Sequence, residues 1–268
     1  MEINYSVSPY TRWLDSVNNA LGKPDKRDLI VLFGYMSSWK TEFAYWMSRK
    51  NIDQWIKVCF ISLELPEYDM KLRIARKTAW IKKIDFQNWS YSDYQKSLMD
   101  DTFQKLEILE DLIIIKPDTC DMWKIMRTMR EQYDAGCRLF IVDNLDKISW
   151  DANDNVRYQK ISSDLQDFKN ENNCCVILIH HAKKPMNKQE TYSPAWMSGM
   201  RWSQKILDNA TQVIEIWRDL DPDIPDNEKN KVQLFQYKDT FEWANWVATI
   251  YFRKWWYHEQ ETTSEPAF

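Results

Sequence analysis

The sequence predicts an α/β protein with a mostly parallel, twisted sheet flanked by helices and an antiparallel strand pair near its C-terminal end. Two patterns carry that expectation. Apolar runs rich in β-branched residues recur along the chain and alternate with amphipathic stretches, as parallel strands joined by crossover helices do. Near the C-terminus the pattern changes to apolar–polar alternation on both sides of a polar turn, the mark of antiparallel strands with one covered face. The bulk numbers agree: 268 residues, 44% hydrophobic and 28% charged, with a net charge of -4. Such a chain buries a sizeable core, and disordered, collagen-like and mucin-like classes are excluded.

The first core strand is placed at Leu29–Phe33, followed by a helix over Thr41–Lys50. A second strand at Lys57–Leu63 leads into a helix over Pro66–Ile81, which opens on a proline followed by Glu67, both favoured in a first turn. Helices over Tyr91–Glu110, Asp121–Tyr133 and Asn155–Asn170 precede strands at Leu112–Ile115, Leu139–Val142 and Val176–Ile179. Val213–Trp217 completes the parallel set. Lys231–Tyr237 and Trp246–Phe252 form the antiparallel pair, with Lys238–Asn245 between them. Leu220–Asn230 is a polar connection containing prolines. Lys183–Ser203 is a long irregular segment of the kind that often carries function. Residues 1–8 read as a short extension, 9–258 as one domain and 259–268 as a frayed tail.

The apolar runs fall far short of the ~18 residues that a membrane helix requires, and the N-terminus lacks the basic-then-apolar order of a secretory signal. A cytoplasmic setting without membrane contact is expected. Five cysteines, two of them adjacent at Cys174 and Cys175, show neither metal-ligand spacing nor a disulfide framework, so they read as reduced and mostly buried. The acidic balance disfavours a clamp on duplex DNA, leaving room only for a local nucleic-acid site. Fifteen tryptophans are too many for the core alone, so some are expected at a surface that meets a base or another subunit.

The stretch from Gly34 to Thr41 (Gly-Tyr-Met-Ser-Ser-Trp-Lys-Thr) follows a strand and opens a helix, which is the setting of a phosphate-binding loop. In such loops backbone amides cradle phosphates, a lysine spans the terminal ones, and a hydroxyl holds Mg²⁺. Gly34, Ser37, Ser38, Lys40 and Thr41 fit those positions. Trp39 stands where glycine is expected. On these residues alone a phosphate loop and an ordinary strand–helix turn carrying a Lys-Thr pair are equally supported. Leu139-Phe-Ile-Val-Asp143 is an apolar strand ending in a carboxylate, suited to a Mg²⁺ shell, although capping explains many such aspartates. Glu64 ends another strand at the edge where open parallel sheets bind ligands, and the alternative for it is an acid favoured at a helix start.

Taken together these segments resemble the RecA-like ATPase domain of the DnaB-type replicative helicases and their phage and plasmid relatives. The likeness runs almost end to end, from Pro9-Tyr-Thr-Arg-Trp-Leu through the Gly34–Thr41 loop, Phe60-Ile-Ser-Leu-Glu-Leu-Pro66, Ile141-Val-Asp-Asn-Leu-Asp-Lys-Ile148, Val176–Pro185 and Gln204–Asp219 to Phe235–Thr240. The resemblance implies a RecA-like P-loop fold, with ATP and Mg²⁺ as ligands and hydrolysis coupled to translocation on single-stranded DNA. It makes Glu64 the residue that activates water, Lys40 and Thr41 the phosphate and metal residues, Asp143 the magnesium-side carboxylate and His181 the γ-phosphate sensor. The double histidine is similar to that of RepA-type plasmid helicases. Lys238 matches the lysine that the family sends to the neighbouring subunit's nucleotide. Thr240 stands at the arginine-finger position, so a finger in trans is missing unless another residue, such as Arg218 or Arg253, substitutes.

The family's DNA loops fall on Lys147–Arg157 and Lys183–Trp202, so Lys147, Arg157, Lys183, Lys184, Lys188 and Arg201, interleaved with Trp196 and Trp202, are the candidates for single-strand contact. A homo-oligomer, hexameric in much of the family, is implied. Eight residues leave no room for the family's N-terminal domain, so either a primase or loader supplies its role in trans or this is a minimal phage- or plasmid-like version. Trp39 and Thr240 keep an alternative open: a degenerate relative that retains the fold as a DNA-binding or assembly module.

Overall fold

The structure is a computed structural model, and it describes residues 10, 15–149, 154–183, 193–199, 204–219, 221, 223–225, 228–240, 246–253 and 256–259. Its strands are β1 (Leu29–Gly34), β2 (Val58–Ser62), β3 (Leu112–Ile115), β4 (Leu139–Asp143), β5 (Cys175–His181), β6 (Gln212–Trp217), β7 (Lys231–Asp239), β8 (Trp246–Arg253) and β9 (Trp256–Glu259). They form one sheet in the order β3-β2-β4-β5-β1-β6-β7-β8-β9. The first six strands in that order run parallel; from β6 onward the pairings are antiparallel. The expected α/β class with a mostly parallel sheet and an antiparallel C-terminal end is what the structure shows.

Alternation within each strand feeds two cores, one on each face. Ile30, Leu32, Ile141, Ile177 and Ile179 point into a cluster with Phe43, Ala44 and Met47 of α2 (Lys40–Ile52) and Met70 and Ile74 of α3 (Glu67–Thr78). Val31, Phe33, Phe140, Val142 and Leu178 enter the opposite cluster, with Ile125 and Met129 of α6 (Met122–Asp134) and Ile161, Leu165 and Phe168 of α7 (Asp154–Asn172). Because both faces are covered, these strands read as uninterrupted apolar runs. Each fully buried side chain of this size contributes roughly 1.5–3 kcal/mol before entropy is counted. Tyr158 and the phenylalanines Phe33, Phe60, Phe140 and Phe168 are among the largest.

Differences from the sequence expectation lie mainly at element ends. Helix α3 stops at Thr78 rather than running to Ile81, and Trp80 takes a left-handed φ of 60° just beyond it. Helix α5 (Asp93–Glu107) starts two residues later than expected because Ser92 accepts from the Gln95 amide and Gln95 returns the bond, a reciprocal cap. Among the described residues, short elements not expected are α1 (Asp15–Leu21), α4 (Lys83–Gln87), a 3-10 turn at Leu145–Lys147, α8 (Trp196–Gly199), α9 (Gln204–Asn209) and β9. Strand β9 turns the expected pair into a three-stranded meander, pairing Arg253 with Trp256 and Ile250 with Glu259. Four residues are too few to display a period. Among the described residues no helix is long and apolar enough to cross a membrane. All five cysteines are free, and Cys59, Cys137, Cys174 and Cys175 are buried.

Candidate nucleotide-binding site

Register brings the chemistry together. Ser62 lies opposite Asp143, Asp143 opposite Ile179, and Gly34 opposite His181, so the carboxyl ends of β2, β4, β5 and β1 finish nearly level. The β2–β4 pairing continues one step further as the Leu63 amide donates to the Asp143 carbonyl at 2.7 Å. Parallel sheets place ligands beyond such ends. A cleft of about 410 Å³ opens there, bordered by Ser37, Trp39, Lys40, Thr41, Glu64 and His181, with Glu42, Arg73 and Lys77 on its α2 and α3 side.

The loop between β1 and α2 bends through left-handed residues at Ser37 (φ 67°) and Trp39 (φ 66°). Gly34 is also at positive φ, 154°, and a Cβ there would stand 2.3 Å from the Ile216 carbonyl oxygen of β6, so no other residue fits without moving backbone. Lys40 is 5% exposed; its ammonium donates to the Gly34 carbonyl at 3.0 Å, the Tyr35 carbonyl at 2.7 Å and Ser38 Oγ at 3.3 Å. Burial pulls its pKa down to about 8, against the opposing pull of Asp143, Asp146, Glu64 and Glu215. The Trp39 indole packs against the core beneath the loop and under the Arg218 guanidinium, 4.0 Å from the ring centroid, although the residue still borders the cleft.

Thr41 at the start of α2 donates its hydroxyl to Asp143 Oδ2 at 2.7 Å, joining the helix to the end of β4. Burial pushes Asp143 up to about 6, opposed by this bond and by Lys40 and Arg73. Asn144, next along, uses both amide hydrogens: one to Glu64 Oε1 at 2.8 Å, one to His181 Nε2 at 3.0 Å. In that orientation His181 accepts through Nε2 and is neutral. Burial, with Lys40 adding to it, lowers the His181 pKa, which favours the same state. Glu64 is exposed to the cleft. The adjacent histidine differs: His180 is fully buried, and its Nδ1 lies 3.5 Å from Asp146 Oδ1.

Among the expected site residues, Gly34, Ser37, Ser38, Trp39, Lys40, Thr41, Glu64, Asp143 and His181 gather around this one location. Lys238 does not; its ammonium donates to the Leu207 carbonyl at 2.5 Å and to the Asp208 carbonyl at 3.1 Å, in the last turn of α9. Thr240 bonds the Thr211 carbonyl through both its amide, at 3.0 Å, and its hydroxyl, at 3.1 Å. Of the nucleic-acid candidates, Lys147 and Lys183 are exposed. Arg157 instead lies over the Tyr158 ring, 4.4 Å from its centroid, and donates to its hydroxyl at 2.5 Å. Lys184, Lys188, Arg201 and Trp202 lie outside the described residues.

Three features escaped the sequence reading. Asn144 links Glu64 and His181, and its position directly after Asp143 was the available signal. Glu42 at the cleft wall pairs with both Arg73 and Lys77, and a charge on an otherwise apolar helix face marked it. Glu215 is fully buried in β6; its carboxylate accepts from the Ala195 amide at 2.6 Å, the Trp196 amide at 3.1 Å and the Tyr237 hydroxyl at 2.7 Å. It fixes the start of α8, and burial raises its pKa. A single acid inside Val213–Trp217 was its signal.

Comparison with known proteins places this geometry. The structure superposes on a solved structure described as an ATPase domain with a TM-score of 0.82 at 15% identity, covering 97% of this chain and 94% of that one. A DnaB-like replicative helicase, described with its interactions with primase, gives a TM-score of 0.81 at 16% identity; 97% of this chain spans 64% of that one. The RadB recombinase is more distant, with a TM-score of 0.59 at 13% identity over 96% of this chain and 100% of that one. At these identities the superpositions establish the RecA-like fold. No curated protein matches by sequence. The DnaB-like helicase C-terminal domain model, however, matches residues 11–241, the whole span from the lead-in of the phosphate loop to the corner at Thr240. With the loop, the two carboxylates and strands β1 to β7 inside that span, the chain belongs to the DnaB-like helicase C-terminal domain family.

Proposed function

We propose that this chain binds ATP with Mg²⁺ and couples hydrolysis to movement along single-stranded DNA during replication, working as a homo-oligomer. The observation that carries the reading is the hydrogen bond to buried Asp143 from Thr41, which lines the cleft together with Lys40 and Glu64. A hydroxyl and a carboxylate so joined are the hard oxygen donors that suit a magnesium shell. Lys40 presents a buried cation whose present acceptors are neutral loop oxygens, and phosphate oxygens are stronger acceptors. Magnesium, when bound, would neutralise charge on the phosphates. Glu64, exposed and oriented by Asn144, is placed to accept a proton from an attacking water, while His181 reports on the same amide from the next strand.

Single-strand binding is supported by exposed Lys147 and Lys183 at the loops after β4 and β5, and by the half-exposed Trp196 ring packed near Phe235 and Tyr237. Partners such as a primase or loader are part of the proposal only through the family. A second reading is favoured by Thr240: with threonine rather than arginine at that position, the chain would bind nucleotide and DNA as an assembly module with little turnover.

The deciding experiment is equilibrium binding of a labelled, slowly hydrolysed ATP analogue with Mg²⁺, followed by phosphate release with and without single-stranded DNA. Binding lost on Lys40→Ala, by ~10²-fold, supports the nucleotide site. DNA-stimulated release supports the motor; binding without release selects the assembly module. An unchanged dissociation constant in Lys40→Ala rejects both nucleotide readings.

A further inference from the structure

The strangest residue of the loop is held from another strand. Trp39 has φ 66° and ψ 29°, a left-handed conformation that glycine takes freely and a bulky L-residue takes at a cost. Lys40, the cation of the cleft, begins α2 at the next residue, so the Trp39 turn sets where that cation enters. Above the indole lies Arg218, its guanidinium carbon 4.0 Å from the ring centroid. Arg218 directly follows Trp217, the last residue of β6, and β6 is the neighbour of β1 in the sheet. Two residues earlier, the Ile216 carbonyl presses against Gly34 so closely that no Cβ fits between them. Both ends of the loop are therefore seated on the end of one strand: Gly34 by a backbone contact, Trp39 by a stacked cation.

We propose that Arg218 is a positioning residue for the phosphate loop, holding the left-handed turn at Trp39 by stacking on its indole. The inference deepens the nucleotide reading above and rests on it. Arginine suits this role because its planar guanidinium stacks face-on over an indole and keeps its charge at any working pH. Glycine at this position would need no such support. Arg218 thereby offsets the change to tryptophan, and nucleotide affinity depends on Arg218 only while residue 39 is tryptophan.

A double-mutant cycle tests this directly, using the full chain and the same labelled ATP analogue with Mg²⁺. Arg218→Ala is expected to weaken binding about tenfold beside Trp39, the size of a partly desolvated cation–π contact, and less than twofold beside Trp39→Gly. Arg218→Lys, which keeps the cation but not the flat stack, falls between parent and alanine variant. Equal losses in both backgrounds mean that Arg218 touches the nucleotide itself, and overturn the proposal. No loss in either background overturns it as well. Binding by Trp39→Gly but not by the parent shows that the indole obstructs the cleft, a third contrary result. If none of the five proteins binds nucleotide, the functional reading fails, and this one with it.

Discussion

Two sets of polar side chains lie at strand ends in this sheet, and they are occupied in different ways. In the cleft, Lys40, Thr41, Glu64, Asp143, Asn144 and His181 come from the ends of β1, β2, β4 and β5 and bond across elements, side chain to side chain in three of the contacts. At the corner of β6 and β7, Lys238 and Thr240 bond backbone carbonyls, those of Leu207, Asp208 and Thr211. The first set holds charged and hydroxyl groups against one another with a large opening in front of them, so under the proposed function an incoming phosphate or cation would replace those bonds without unfolding anything. The second set caps the end of α9 and closes a turn, bonds that stabilise the protomer locally. A shared family position therefore does not imply a shared occupation: within one protomer, the cleft side chains bond one another beside an opening, and the corner side chains bond backbone.

The sharpest way to press this comparison is Glu64→Gln. The amide can still meet Asn144 but accepts no proton, so binding of the ATP analogue should stay within about twofold while phosphate release falls by ~10²–10⁴. Single-turnover and equilibrium measurements on the same preparation separate the two. A variant that loses binding and turnover in parallel would show that Glu64 serves the architecture of the cleft rather than the chemistry.

Most of the cleft was legible in the sequence because its members sit at strand ends, where an apolar run stops and a polar residue begins. Glu64, Asp143 and His181 all have that form, and chain direction says which end they occupy, while Lys40 opens the helix that follows β1. What the sequence concealed depends on contacts between distant segments. Trp39 could point into the cleft or away, and only the packing of the core beneath it and Arg218 above it decides. Arg157 read as a loop cation, yet Tyr158 engages it. Glu215 is an acid in an apolar strand, and its partners at Ala195, Trp196 and Tyr237 lie about twenty residues away on either side. The fold followed the same rule: long buried strands were visible, whereas the four-residue β9 and α8 are fixed by pairing and by the Glu215 carboxylate.

Gly34→Ala probes how tightly the cleft is tied to β6. The added Cβ would meet the Ile216 carbonyl oxygen at 2.3 Å, with Ser38 Oγ at 2.9 Å, at a backbone φ that disfavours alanine. Since one of these neighbours is backbone, relief requires a shift of β6 or of the loop, and a loss of about 2–4 kcal/mol in folding stability is expected from chemical denaturation. A loss below ~0.5 kcal/mol would mean that the loop moves freely against β6, and would weaken the case that strand β6 seats it.

The smallest effect is expected at the other corner. Lys238→Ala removes two bonds to the last carbonyls of α9, worth about 1 kcal/mol together with their interaction with the helix end, or roughly 2–4 °C in thermal midpoint for a domain of this size. In dilute protein the dissociation constant for the ATP analogue should change by less than about twofold, because the bonds of Lys238 run to α9 and away from the cleft of its own protomer. The family places this lysine on a neighbouring subunit's nucleotide, so the measurement gains force when repeated across protein concentration. A Lys238→Ala defect in turnover that grows as protomers associate would show that α9 releases the ammonium to a second subunit on assembly. A defect of equal size at every concentration would instead break the contrast between the two corners, and would require a path from β7 to the phosphate loop within a single chain.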